Sequence, residues 1–294
     1  MNRLVIFAGF EKNGIIHDYV ISYLNYLSKI SNNIIYISDN DPNLTELGKL
    51  LPYVSHIECH PHGEYDFGSY KIGFNYAIEN NLLSDVDEIL FCNDSCFCTD
   101  SLETVFNTMK TKECDFWAMT GSNEYEEHLQ SYFLLIKKKV FENKVFIDYL
   151  NNVKHLNDFV QIVKTFEIPL KKTLENEGFK ATTYLPITKK LNPTFYPIKC
   201  FKQHDPLVKK KLFSEPYGCR ESLLRIMLFI RLNNKKAYQE ILSFFEIKSI
   251  IPIWWKFFIP KVKRFLYRTE VTRSGKKRFR LLTITFFIKK VKTK

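Results

Sequence analysis

The segment Phe91-Cys92-Asn93-Asp94-Ser95-Cys96 carries an apolar run straight into an amide, a carboxylate and a hydroxyl. In an open α/β sheet, ligands bind beyond the carboxyl ends of the strands, so an acid there faces a cofactor. A nucleotide diphosphate needs its charge neutralised. A hard divalent cation, Mg or Mn, held by one or two carboxylates with phosphate oxygens and water does this. Asp94 is therefore the leading diphosphate and metal ligand, with Asn93 and Ser95 beside it. A local alternative is an Asx-turn, or the N-cap of a helix from Leu102.

Three other segments gather polar groups. Gly63 to Phe74 sets Asp66 between glycines ahead of a helix, which allows close backbone approach and leaves N–H groups for an anion. Asp66 or Ser69 could equally just cap that helix. Glu127-His128-Leu129-Gln130-Ser131-Tyr132-Phe133 places polar side chains ahead of an apolar strand. Gln203-His204-Asp205-Pro206-Leu207, followed by Lys209-Lys210-Lys211, offers an imidazole for a metal at His204 and lysines for phosphate, Lys209 first. Cys59-His60-Pro61-His62 and the cysteines from Cys92 to Cys98 lack the spacing of a structural zinc site.

The elements that must position these groups alternate. Leu4–Phe10 is an unbroken apolar run, as in a strand buried on both faces of a parallel sheet. Apolar residues from Ile16 to Ile30 recur at helical spacing, and a second strand over Asn33–Ser38 ends in polar turn residues. A third strand near Tyr53–Cys59 completes a Rossmann-like half. The pattern continues with a helix over Ser69–Asn80 and strands at Glu88–Cys92, Asp115–Thr120 and Ser131–Lys137. Helices near Lys139–Asn152 and His155–Glu177 follow, the latter capped by Gly178, and a late strand spans Lys180–Leu185. Beyond it, Asn192 to Pro216 reads as Pro-punctuated loop, and two helices, Arg220–Leu232 and Lys235–Phe245, lead to the end.

The 294 residues carry 43 Lys and Arg against 32 Asp and Glu, a net of +11. That excess is local. Residues 250–294 hold 14 basic groups and one acid, Glu270, so the other 249 residues are at −2. A hydrophobic fraction of 45% with 26 Phe excludes a disordered chain, and 10 Gly excludes a collagen-like one. Seven cysteines in no framework spacing read as free thiols of a reducing compartment. No apolar stretch reaches the ~20 residues of a membrane span, and the first residues do not form a signal peptide, so a cytoplasmic place is expected. The tail mixes basic residues with Trp254, Trp255, Phe257, Phe258 and Phe265 and contains a hairpin signal at Ser274-Gly275. Such a mixture can bind nucleic acid or lie on an anionic membrane. The contiguous apolar run Ile250–Pro260 favours the membrane, with no nucleic acid.

Several of these segments occur together in a familiar order. Gly14 precedes an amphipathic helix; then come Glu64 to Tyr70, Phe91 to Ser95, Cys114 to Thr120, His128 to Phe133, and Glu167 before a helix ending at Gly178. Over residues 1–215 the chain resembles the rhamnan synthesis F family of bacterial polysaccharide glycosyltransferases. The resemblance implies a GT-A-like α/β domain over 1–215 with a mostly parallel sheet; beyond it the residues themselves read as a helical extension over 216–249 and a basic aromatic tail over 250–294. It implies transfer of a sugar, often L-rhamnose from dTDP-rhamnose, onto a growing cell-surface glycan; the tail, similar to basic tails of bacterial surface-glycan transferases, points to a lipid-linked acceptor and a peripheral place on the inner face of the cytoplasmic membrane. Asn93-Asp94-Ser95 falls where such enzymes carry Asp-x-Asp, with one carboxylate in place of two. Lys209–Lys211 or helix N-termini could stand in for part of a cation. If configuration inverts, a carboxylate takes the acceptor proton: Glu167 is the family-matched acid, with Asp115 and Asp66 as rivals. Trp117, Gln130 and Tyr132 suit sugar or base recognition, although Trp117 and Tyr132 also suit the core. A contrasting class is a non-catalytic nucleic-acid- or glycan-binding protein on a degenerate transferase fold.

Overall fold

The computed structural model describes residues 1–188, 191–214 and 219–246, and the backbone of three strands further on. In chain order the strands of the body are β1 (Arg3–Gly9), β2 (Asn33–Ser38), β3 (His56–Cys59), β4 (Glu88–Asn93), β5 (Cys96–Cys98), β6 (Phe116–Ala118), β7 (Gly121–Ser122), β8 (His128–Leu129), β9 (Phe133–Lys137), β10 (Ala181–Thr183) and β11 (Leu207–Lys209). Seven of them form one sheet in the order β10-β6-β9-β4-β1-β2-β3. All neighbours are parallel except at β9, which runs antiparallel to β4 and β6. This is an α/β fold of GT-A type, with a Rossmann-like half in β1 to β4. The unbroken apolar runs of β1 and β4 are buried throughout because helices cover both faces of the sheet.

One face packs on the helices Asp18–Leu27 and Glu103–Met109, the other on Tyr65–Glu79, Lys144–Asn151 and Ile168–Asn176. Gly73 sits where the Tyr65–Glu79 helix crosses β1 and β2; a Cβ there would come to 2.6 Å from Ile6 Cγ2. The helices Leu223–Asn233 and Lys235–Phe244 bury Ile226, Met227, Ile230 and Ile241 in the same core as the Asp18–Leu27 helix. Buried Ser22 Oγ bonds Glu240 at 2.5 Å across that contact.

Two sequence readings change. The stretch after Asn192 is not plain loop: it holds a short helix Pro197–Phe201, strand β11 and a turn of helix Lys211–Ser214. β11 pairs antiparallel with β5, Lys209 opposite Cys96, and so pins a distant segment beside the end of β4. The long helix read over His155–Glu177 starts only at Phe159, on an Asp158 cap, and widens to a π-turn at Val163–Glu167. Pro169 follows that turn; it has no N–H to donate, and its ring crowds the carbonyl one turn back. Gly178 adopts φ +85° and closes the helix, its N–H bonding Glu175 O at 2.9 Å.

In the tail, β12 (Arg268–Val271), β13 (Lys277–Leu281) and β14 (Ile284–Phe287) pair antiparallel in the order β12-β13-β14, while the Ser274-Gly275 hairpin signal lies outside the described residues. The run Ile250–Pro260 lies outside the described residues.

Candidate active site

The carboxyl ends of β1, β2 and β4 lie level, Ala8 beside Asn93 and Gly9 beside Ser38. Asp94 leaves β4 at this edge and is 8% exposed. Its N–H bonds Ala8 O at 3.1 Å. Three donors converge on Asp94 Oδ2: Phe10 N at 3.4 Å, the Tyr19 hydroxyl at 3.3 Å and Lys210 Nζ at 3.3 Å. Lys210 Nζ also donates to the Tyr19 oxygen at 2.9 Å. Burial pushes the Asp94 carboxyl up, and Lys210 pulls it back. Burial beside Asp94 holds the Tyr19 phenol far above its usual range, so it remains a proton donor. A cleft opens here, lined by Phe10, Ile16, Tyr19, Tyr36, Asn40 and Asp94.

A second group adjoins it. Asn93 Nδ2 donates to Asp66 Oδ2 at 2.6 Å, and Asn93 Oδ1 accepts from Ser95 N at 3.1 Å and Ser95 Oγ at 2.6 Å. Asp66 lies in the first turn of the Tyr65–Glu79 helix, which begins four residues before the sequence places it. Tyr65 before it holds φ +57°, a conformation that costs a side-chain-bearing residue energy and here fixes the turn into the site. Desolvation, with Asp94 nearby, raises the Asp66 carboxyl to about 6.

Lys209 Nζ stands 3.2 Å above the centre of the Tyr132 ring. Burial lowers its ammonium below the usual lysine range, opposed by Cys96, Glu167, Asp66 and Asp205. Glu167 ends the π-turn, and such turns recur at functional sites. Its Oε2 accepts from Ser131 N at 3.0 Å and from Ser131 Oγ, and His128 Nε2 lies 3.7 Å from Oε1. Glu126 O, 2.8 Å from His128 Nδ1, can only accept, so that nitrogen carries the proton. Gln130 Oε1 accepts from Thr120 Oγ1 at 2.7 Å, which in turn lies 2.9 Å from the Tyr132 hydroxyl.

Asp66, Asn93, Asp94, Ser95, Gln130, Glu167 and Lys209 thus share one edge of the sheet; three other candidates do not. Asp115 precedes β6 and is level with Glu88, about 20 Å from Asp94 at ~3.3 Å per residue. It pairs there with Lys139 at 2.6 Å and accepts Lys180 N–H at 2.8 Å. Trp117 is 2% exposed and packs between Phe106 and Phe133, with no face left for a sugar. His204 is exposed in a turn at φ +60°, its N–H on Phe201 O. Among the described residues no three His, Cys, Asp or Glu side chains are arranged to hold a metal ion. The donors that close on Asp94 Oδ2 are an N–H, a phenol and an ammonium, so that oxygen fits a divalent cation poorly.

Sequence reasoning did not single out Tyr19 or separate Lys210 from its neighbours. Strand alternation supplies that second signal: Lys209 ends β11 and faces the acids, while Lys210 turns to Asp94. Asp205 was also passed over. It is 2% exposed, Oδ1 accepts Leu207 N at 3.0 Å, and Oδ2 has no hydrogen-bond partner among the described residues. Burial pushes its carboxyl from 3.8 up to about 7. The folded chain therefore keeps a proton that the unfolded chain releases near pH 4, and stability falls as pH rises from about 4 through 7. Asp205→Asn keeps the bond to Leu207 and removes the charge. Its melting temperature should exceed the wild type's by several degrees at pH 8 and by little at pH 4.5; equal offsets at both would contradict this reading.

The sheet order, the helices on both faces and the acid at the end of β4 define a GT-A-like α/β protein. Within that class, the chain belongs to the rhamnan synthesis protein F family, whose model matches residues 34–287. The virulence protein VirA of Vibrio anguillarum is 28% identical over 133 residues, 42% of this chain and 40% of that protein. The chain thus spans 40% of the length of the curated relatives it matches. Among solved structures, S. aureus TarS 1-349 is 10% identical, with 99% of this chain and 100% of that one covered at a TM-score of 0.35. Core-mannan synthase A from Aspergillus fumigatus, in an Mn/GDP form, is 11% identical over 51% of this chain and 63% of that one, TM-score 0.32. At these scores the class rests on the chain's own topology and family.

Proposed function

We propose that the chain is a polysaccharide glycosyltransferase that moves a sugar from a nucleotide sugar to a glycan acceptor. The observation that carries this reading is Asp94, a buried carboxylate joined to Tyr19 and Lys210 at the cleft beyond β1, β2 and β4. That is where an open α/β sheet binds nucleotides. The family description, rhamnan synthesis, supports L-rhamnose as the sugar transferred, and the resemblance described above supports dTDP-rhamnose as its donor. The basic tail over 250–294 supports a lipid-linked acceptor reached from an anionic membrane surface.

In the transfer the bond from the sugar's anomeric carbon to the diphosphate oxygen breaks, and its electron pair leaves with the diphosphate. The acceptor hydroxyl oxygen forms the new bond, and its proton passes to a carboxylate. We assign that proton to Glu167, set by Ser131 and His128 on the acid-lined side of Lys209; Asp66 holds Asn93 against the donor. The leaving charge is stabilised by groups fixed before reaction, which is the effective form of electrostatic catalysis. Inversion of configuration follows from a single displacement with one base.

Incubating the purified chain with a panel of nucleotide sugars and a glycan acceptor, and measuring nucleoside diphosphate release, tests this. One donor should be consumed. Glu167→Gln should lower kcat about 100-fold or more while nucleoside diphosphate binding stays within about twofold. A variant that loses binding instead would remove Glu167 from the proton step.

A further inference from the structure

The sequence offers Asp94 as a divalent-cation ligand with one carboxylate where Asp-x-Asp has two, and the side chains around its Oδ2 are cationic or hydrogen-bond donors. A carboxylate cannot face a diphosphate directly; a positive charge must stand between them. Lys210 sets such a charge 3.3 Å from Asp94 Oδ2. Its backbone is fixed by Lys210 N on Ser95 O at 2.8 Å, directly after β11, so its stem starts from a rigid point next to Asp94. Its ammonium lies 5.3 Å from the Tyr19 ring centre and 5.4 Å from that of Phe244, a walled position that spares it part of the cost of being held.

We propose that the Lys210 ammonium, held by Asp94 and Tyr19, takes the place of a divalent cation, so that the donor diphosphate binds without metal. The inference rests on the nucleotide-donor reading above and specifies how that site neutralises its ligand. Lys210 Nζ has three N–H bonds; among the described residues Asp94 Oδ2 accepts one and Tyr19 the second, which leaves the third for a phosphate oxygen. The same Asp94 oxygen also takes the Phe10 N–H, so a metal bound there would have to displace donors and then sit against an ammonium. The neighbouring oxygen that could complete a metal pair, Asn93 Oδ1, is already taken by the Ser95 N–H and hydroxyl. A lysine serves phosphate as a point charge, and here the carboxylate aims it.

Calorimetric titration of the full chain with UDP, GDP and dTDP, in EDTA and then in excess Mg or Mn, tests the inference. At least one nucleoside diphosphate should bind in EDTA, with an affinity that added metal changes by about twofold or less. Lys210→Ala should weaken that binding about 10- to 100-fold, as for a lost hydrogen bond to a charged group, and Lys210→Arg should recover most of it. Binding seen only after metal is added overturns the inference and leaves the nucleotide-donor reading standing. Binding in neither condition overturns both. The wild-type comparison decides between these outcomes even if Lys210→Ala fails to fold.

Discussion

Asp94→Asn is expected to lower the rate of sugar transfer about 100- to 1,000-fold, as losing a preorganised group at the site of developing charge does. The substitution keeps the shape and one acceptor oxygen for the Phe10 N–H. It removes the negative charge that pairs with Lys210 at 3.3 Å and accepts from Tyr19 at the same distance. Lys210 then loses its aim, and the leaving diphosphate loses a fixed positive charge. Stability should change little or rise, because burial already disfavours the Asp94 charge. Circular dichroism and a melting curve beside the rate measurement separate the two effects. A variant that melts normally and still transfers sugar at near the wild-type rate would remove Asp94 from the chemistry.

The largest loss of stability is expected at the opposite edge of the sheet. Arg3 and Glu88 are 5% and 3% exposed and form a hydrogen-bonded ion pair across β1 and β4. The Arg3 guanidinium also lies 3.7 Å over the Phe106 ring and donates to Ile30 O. Burial lowers the Arg3 pKa, and Glu88 opposes that shift. Glu88→Ala strands the guanidinium without its counter-charge and should cost about 3–5 kcal/mol in urea unfolding. Replacing both members, Arg3→Met with Glu88→Leu, should restore most of the loss, because two apolar side chains need no desolvation repaid. Equal losses in the single and double variants would show that the pair does not act through charge burial. Neither change should alter nucleoside diphosphate binding, since both residues lie six residues down the strands from the site edge.

How much of this was legible before the structure depends on the range of the interaction. The apolar runs of β1 and β4 announce buried parallel strands, and the polar residues that follow them mark the ligand edge, so Asp94 is found from local pattern alone. Asp115 shows the limit of the same logic. An acid ahead of a parallel strand belongs to the amino edge, and only strand direction, set by pairing through β9, separates it from Asp94. β11 could not be read locally: three residues in a Pro-punctuated stretch become a strand because β5 offers them a partner more than a hundred residues away. Lys210 inherits its role from that pairing. Trp117 has a type suited to sugar stacking, but its environment, Phe106 and Phe133, comes from two other elements. The late helix start at Phe159 and the π-turn before Pro169 again follow from capping and from the missing N–H, which periodicity does not register.

The central claim is that the cleft beyond β1, β2 and β4 is where the nucleotide donor binds. A crystal structure of the full chain with its tightest-binding nucleoside diphosphate tests it most directly. The account predicts the nucleoside between Phe10, Tyr36 and Asn40, with a phosphate oxygen within hydrogen-bond reach of Lys210 Nζ. A nucleotide bound at the amino edge near Asp115, or on a helix face away from Asp94, would contradict it.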